Sequence, residues 1–290
     1  IEKTAGTTLV ELLRKHFGSR YLGVRPFWDQ DPVFGPGDLR LMLKLFPRTR
    51  CLSSHSLTPH IALSAVRDDI SFFTFLREPV QRYISHYRWQ IEHDWHDLPL
   101  EKWITDSFYH DWMTKKLAGK NDPDAAYRLL RDRVPVVGLL ERFDEGLLLL
   151  RRMIGDKRFD IHHGPPRNVS GRMEVKNRID AMMQTLRPRL EAANRNDMEL
   201  YRRVVQELYP ERLRAYGETL AADLAEFQRV NARTPSFRTK RDRLFRRLYF
   251  RARVARAKSG LRESPNTGAL ALPDHWTREF PGHAEKPVVQ

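Results

Sequence analysis

Apolar residues recur at helical spacing in Leu9, Leu12, Leu13, His16 and Phe17, which predicts a helix over 7–17. Residues 19–38 break that rhythm with Gly, Pro and Asp, and read as a long loop carrying Trp28 and Phe34. A loop of this length inside a compact domain is usually functional, so it is a candidate substrate wall. The pattern then predicts a short helix at 39–46, a strand at 49–53 and a helix at 59–66 with Pro59 in its first turn. Residues 71–76 are a continuous apolar run between Asp69 and Pro79, which suits a strand buried on both faces. A helix over 79–92 follows, with Val80, Tyr83, Ile84 and Tyr87 on one side.

Further on, Trp103, Ile104, Phe108, Trp112, Met113 and Leu117 recur at three and four, predicting helix over 99–119. A helix at 122–133 has Asp122 as its cap and Pro123 in first position. Residues 134–139 read as another buried strand, 143–153 and 179–209 as helices, and 160–173 as a loop. Beyond Pro210 a helix runs to about 233; Leu244, Phe245, Leu248, Tyr249 and Val254 then keep loose helical spacing. Strands alternating with helices imply an α/β fold, a doubly wound parallel sheet flanked by helices. The expected organisation is an α/β body at 1–209, a helical basic extension at 210–263, and a loosely ordered Pro- and Gly-containing tail at 264–290.

Ligands of such sheets bind at the carboxyl ends of the strands, and two stretches of chemical interest fall there. In the first, Lys3, Thr4, Ala5, Gly6, Thr7 and Thr8 join one ammonium, three hydroxyls and a small turn to the start of a helix. A helix amino end offers free N–H groups and a positive dipole end, so the stretch reads as a phosphate cradle. It is not a Walker A loop, because no Gly precedes Lys3 and no GK[ST] pair is present. A capped surface helix with a stray Lys is the competing reading, with Thr7 as the cap. Ile1 reads as the last residue of a strand, which leads us to expect a truncated start. The second stretch, residues 72–87, runs Phe-Phe-Thr-Phe-Leu-Arg-Glu-Pro-Val-Gln-Arg-Tyr-Ile-Ser-His-Tyr.

Together the two stretches resemble the PAPS-dependent carbohydrate sulfotransferases, the group that includes the heparan sulfate and chondroitin enzymes and is sulfotransferase family 2-like. That group carries a PKTAGTT-like loop for the 5′-phosphosulfate and an FLRDPVxRxxSxY-like segment for the 3′-phosphate. Here Glu2 stands for the usual Pro and Glu78 for the usual Asp. Residues 109–119, 137–144 and 196–201 also fit, so the resemblance spans about 1–209. It implies a P-loop-like fold and sulfuryl transfer from PAPS (3′-phosphoadenosine 5′-phosphosulfate) to a hydroxyl of a carbohydrate-type acceptor. Lys3 would stabilise the leaving phosphate, Thr4 to Thr8 would hold the 5′-phosphate, and Arg77 and Ser85 would hold the 3′-phosphate. Arg82 is either a further ligand or a structural ion pair. Asn168 and Ser170 would touch the nucleotide.

The acceptor must lose a proton as sulfur arrives, and an imidazole titrating near neutrality suits that step. His55 follows the 49–53 strand at the same sheet edge and is the candidate base; the alternatives are His60, His86, Asp29, Asp31 and Glu92. Adjacent His162 and His163 lack the further ligands a zinc site needs, and no metal is expected. Trp28, Phe34, Trp89, Trp95 and Trp103 are either sugar-stacking faces or core.

Composition narrows the picture further. No run approaches the 18 apolar residues of a membrane span. The single Cys51 excludes an intrachain disulfide and fits a reducing, cytoplasmic setting, with a possible peripheral attachment to a membrane and a start that leaves a signal or anchor open. Residues 233–262 hold +11 of the chain's +14, so the body is only mildly basic. That segment is open to four readings: a solvated helix, attraction to an anionic membrane or acidic partner, retention of an acidic polysaccharide, and, last because no binding motif accompanies it, nucleic acid. Two other functions compete, a P-loop-like nucleotide kinase and a non-catalytic nucleotide or anion binder. The missing GK[ST] pair and the lack of a Walker B Asp argue against the kinase.

Overall fold

The computed structural model describes residues 1–93, 98–164, 173–234 and 242–266. Helix α1 (Gly6–Phe17) turns Leu9, Leu12 and Leu13 inward and ends at Gly18, where φ is 56°. Strand β1 (Tyr21–Gly23) lies within the segment expected to be loop. Three residues are too short to show an alternation; the strand exists through its parallel pairing with β2 (Cys51–Ser53), Tyr21 opposite Cys51. Helix α2 (Pro36–Leu45) makes the crossover between them. Its buried Asp38 accepts from the N–H groups of Gly35 (2.9 Å) and Phe27 (2.7 Å), which fixes the entry of the preceding loop.

The helix expected over 59–66 is only a 3₁₀ turn, Leu63–Ala65. The Pro59 carbonyl, which would serve a helix there, accepts instead from Arg133 Nη1 at 2.8 Å. Strand β3 (Phe73–Leu76) and strand β4 (Val136–Leu139) pair in parallel, Phe73 opposite Val136. Helix α3 (Pro79–Glu92) follows β3 directly, with Pro79 in its first turn and the Glu78 carboxylate accepting from Gln81 N–H at 2.7 Å. An N-cap needs an acceptor, and Glu supplies it where the motif usually has Asp.

The single helix expected over 99–119 is divided into α4 (Leu100–Trp103), a 3₁₀ turn at Ser107–Tyr109, and α5 (Trp112–Ala118). Asp111 causes the second break: at φ 48° it accepts from the N–H groups of Asn196 (2.8 Å) and Asp197 (3.1 Å). Helix α6 (Pro123–Arg133) is capped by Asp122, which accepts from Ala125 N–H at 2.8 Å, and α7 (Phe143–Ile154) closes on Gly155. The expected 179–209 helix is α8 (Met173–Ala193) followed by α9 (Arg195–Arg203). The division falls at Asn194, whose side-chain amide donates back to the Leu190 carbonyl at 2.8 Å. A π-helical turn, Val204–Leu208, leads into α10 (Tyr209–Tyr216); α11 (Leu220–Asn231) and α12 (Asp242–Ser259) complete the chain's helices among the described residues.

The mixed α/β architecture with parallel strands flanked by helices stands, but the single doubly wound sheet does not. Among the described residues there are two separate two-stranded sheets.

Three apolar clusters hold these pieces together. The first joins α1, β3, β4 and α7 and packs the Phe75 ring over Gly138 and Gly146, where an added Cβ would lie 2.4 and 2.5 Å from ring carbons. Tyr216 and Phe227, from beyond residue 209, belong to it. The second gathers α3, α4 and α8 around Trp103. In the third, Phe250, Val254, Ala257 and Leu261 pack onto the 24–46 lobe. The apolar side of the basic helix is thus engaged by its own chain, and Arg251 and Arg256 are left outward. Looseness from residue 264 does not hold for its first residues. Ser264 Oγ donates to Asp31 at 2.5 Å, and Asn266 is buried with its amide donating to Asp38 at 2.7 Å. No helix among the described residues is long and apolar enough to cross a membrane.

Candidate active site

The loop ahead of α1 is tightly turned. Lys3 and Ala5 both adopt left-handed backbone, at φ 66° and 65°, a conformation non-glycine residues reach only at a cost of about 1–3 kcal/mol each. The helix begins at Gly6, and its cap residue Ala5 contributes no side-chain hydrogen bond. The first helical bond runs from Leu9 N–H to the Ala5 carbonyl at 3.2 Å, so the N–H groups of Gly6, Thr7 and Thr8 precede the ladder. No acidic residue occupies the first turn to neutralise the dipole. Thr7 is therefore not the cap; its side chain is exposed, and that of Thr8 is half-buried. Thr4 is turned inward, buried, with Oγ1 donating to the Ile1 carbonyl at 3.0 Å, so its hydroxyl shapes the loop.

Arg77 leaves the carboxyl end of β3 and reaches this loop. Its Nη1 donates to the Lys3 carbonyl at 3.4 Å. The Lys3 ammonium lies over the Trp89 ring, 5.8 Å from its centroid. Burial lowers the Lys3 pKa, and the nearby Arg77 and Arg88 charges lower it further, against a raising effect from Glu92. Burial also lowers the Arg77 pKa, opposed by Glu141 and Glu78 and assisted by Arg88. Three cations thus repel one another beside an uncapped helix start. Half-buried Ser85 shares a helical face with Arg88 and Glu92, one and two turns on. Arg88 was missed in the sequence; its signal was the i, i+3 spacing from Ser85.

His55 follows β2, as expected, and meets a group the sequence did not connect to it. Its Nδ1 is 4.0 Å from Glu2 Oε1, at ion-pair distance. Glu2 also accepts from Trp112 Nε1 at 2.7 Å and pairs with Lys116 Nζ at 3.5 Å. Lys116 in turn donates to the His55 carbonyl at 3.2 Å. Burial opposes the Glu2 charge, yet Lys116, His55 and the Trp112 hydrogen bond hold its carboxyl well below the usual range. The His55 pKa is lowered, first by desolvation, then by Lys116 and Arg25, with Glu2 opposing. Because the imidazole is 65% exposed, water screens much of this.

Four of the five alternative bases have partners elsewhere, and Glu92 acts on the Lys3 ammonium. His86 is buried among Trp103, Tyr109 and Trp112, and burial, then Arg82, pushes its pKa down to about 3. The His60 ring is hydrogen-bonded to the Leu117 carbonyl at 3.2 Å. Asp29 pairs with Lys258 and Asp31 accepts from Ser264. Arg82 is fully buried, with Asp197 its strongest opposite charge, and none of its three guanidinium nitrogens has a hydrogen-bond partner among the described residues. His162 and His163 turn to separate carboxylates, Asp160 and Asp144. No group of His, Cys, Asp and Glu among the described residues is arranged to hold a metal ion. Phe34 and Trp103 are core, leaving Trp28 and Trp89 half-buried. Asn168, Ser170 and Trp95 lie outside the described residues. A cleft of about 300 Å³, lined in part by Leu63, Phe72, Arg133 and Pro135, sits at the amino ends of β3 and β4, the opposite end from these groups.

Arg77, from the junction of β3 and α3, thus reaches the loop that carries Lys3 and opens α1. Residues 1–249 match the model of the Sulfotransferase family, and the chain belongs to that family. Its chemistry is sulfuryl transfer. No curated protein matches the chain, and no solved structure matches it.

Proposed function

We propose that the protein moves a sulfuryl group from PAPS to a hydroxyl of a carbohydrate-type acceptor. Members of the family generally use PAPS, and a doubly phosphorylated nucleotide answers the charge on this site. The observation that carries the reading is the convergence of Lys3, Arg77 and Arg88 beside the uncapped start of α1. Backbone N–H groups from Gly6 to Thr8 receive the 5′-phosphate, and Lys3 follows the charge that builds on it as the S–O bond breaks. Arg77 and Ser85 take the 3′-phosphate, the guanidinium by paired hydrogen bonds.

The acceptor oxygen forms a new S–O bond, the bond from sulfur to the 5′-phosphate breaks, and the acceptor proton passes to His55. The products are a sulfate ester and 3′-phosphoadenosine 5′-phosphate. His55 suits this role because its exposed ring stands at the end of β2 beside residue 2 of the cradle. The test is a transfer assay with labelled PAPS against glycan, lipid and small-alcohol acceptors, with EDTA present. Labelled glycan is expected, and His55→Ala should abolish turnover while the nucleotide still binds. Transfer that requires a divalent ion, or that survives His55→Ala at full rate, overturns the reading.

A further inference from the structure

The usual Pro of the loop is replaced here by Glu2, and the structure gives that carboxylate a defined place. It is 20% exposed and meets three side chains from two parts of the chain: Trp112 and Lys116 on α5, and, at 4.0 Å, His55 after β2. Trp112 and Lys116 are one helical turn apart, so a single face of α5 grips the carboxylate. Lys116 also holds the His55 backbone through its carbonyl, so one ammonium positions both the carboxylate and the imidazole.

We infer that Glu2 is the positioning residue of His55: its carboxylate keeps Nδ1 protonated and turned inward, and so leaves Nε2 to accept the proton of the incoming hydroxyl. This rests on His55 being the base. A carboxylate beside one imidazole nitrogen favours the tautomer protonated there and stabilises the imidazolium formed when the other nitrogen takes a proton. Glu2 does not serve as the base itself, since Lys116 and Trp112 already occupy its oxygens. The charged side chains facing His55 are Glu2, Lys116 on α5 and Arg25 beyond β1; among these Glu2 is the only one that favours the imidazolium. Both consecutive loop residues then serve the reaction from opposite sides: Glu2 through the base, Lys3 through the leaving phosphate.

The experiment compares Glu2→Gln, Glu2→Asp and His55→Ala in the whole protein. Nitrogen-15 NMR of labelled histidines reads the His55 tautomer and midpoint, and kcat is followed against pH with PAPS and a working acceptor. Binding of 3′-phosphoadenosine 5′-phosphate is the folding control. Glu2→Gln should lower the His55 midpoint, deplete the Nδ1-protonated tautomer and move the acid limb of kcat to lower pH. It should cost roughly 10- to 100-fold in kcat, part of the ~10²–10⁴-fold that a general base supplies, with nucleotide affinity within about twofold. Glu2→Asp should restore the tautomer and part of the rate. Glu2→Gln leaves Lys116 buried without its carboxylate, so Glu2→Gln/Lys116→Gln, which removes both charges, is the second variant with the same expectation for the His55 tautomer. An unchanged tautomer and midpoint in either folded variant overturns the inference. If His55→Ala abolishes turnover but Glu2→Gln leaves rate and acid limb unaltered, the inference fails and the base assignment survives. Should His55→Ala keep its turnover, the base assignment fails first.

Discussion

Arg77 Nη1 donates to the Lys3 carbonyl oxygen at 3.4 Å, linking two residues 74 positions apart. The bond is long, and it holds a guanidinium against the backbone of a loop whose own side chain is cationic. The sequence reading set these residues at two ends of one nucleotide, and Arg77 reaches the backbone of the loop that carries Lys3. A phosphate-bearing ligand has to compete with the Lys3 carbonyl for Nη1.

Arg77→Ala should therefore weaken binding of 3′-phosphoadenosine 5′-phosphate about 10- to 100-fold, the range of a charged hydrogen bond worth ~1.5–3 kcal/mol. Arg77→Lys should not restore it, because an ammonium lacks the planar fork. Calorimetry against adenosine 5′-phosphosulfate, which lacks the 3′-phosphate, checks the assignment: both variants should bind that ligand nearly as the parent does.

Lys3→Ala should reduce kcat by about two to three orders of magnitude, the scale of one lost transition-state donor, and should move nucleotide affinity less. The pKa of Lys3 is lowered by burial, then by Arg77 and Arg88. Between that lowered value and its ordinary one, the unfolded chain holds a proton that the folded protein has lost, so this group adds stability as pH rises through that window. A bound phosphate restores the charge, so nucleotide binding at alkaline pH should take up protons, measurable as a buffer-dependent binding enthalpy.

His86 gives an acid-side signature. Its folded pKa is about 3, set first by burial, against about 6.5 in the unfolded chain. Above that upper value it is neutral in both states. As pH falls, the unfolded chain gains a proton that the folded protein refuses, so stability drops, by up to about 1.4 kcal/mol per pH unit, until the lower value is reached. His86→Gln should flatten this part of a urea-unfolding series from pH 7 to pH 4. An unchanged slope would place the acid sensitivity in other groups.

Asn266 ties the end of the described chain to the start of α2, where its Oδ1 accepts from Gly37 N–H at 3.0 Å. A Cβ on Gly37 would lie 1.8 Å from the Pro265 carbonyl oxygen. Gly37→Ala should thus detach this segment while leaving α2 helical. Hydrogen exchange over 250–266 should rise sharply, and limited proteolysis should release the basic helix. Protection equal to the parent's would show that Phe250, Val254 and Leu261 suffice to hold it.

Much of the helical skeleton was legible because its signals are local. Asp122 and Pro123 open α6, Pro79 opens α3 after an acidic cap, and Leu9, Leu12 and Leu13 mark the inner face of α1. The meeting of the Lys3 loop with Arg77 was expected from residue types and from the place of Arg77 between β3 and α3. What the sequence did not determine depends on partners distant along the chain. β1 is a strand only because β2 lies beside it, and the 99–119 helix is broken because Asp111 turns to serve the N–H groups of residues 196 and 197. Glu2 looked like a lost Pro until folding brought Trp112, Lys116 and His55 around it. Local pattern sets which backbone states are cheap. Which side chains share a charge is decided by three-dimensional proximity, and only tertiary structure supplies that.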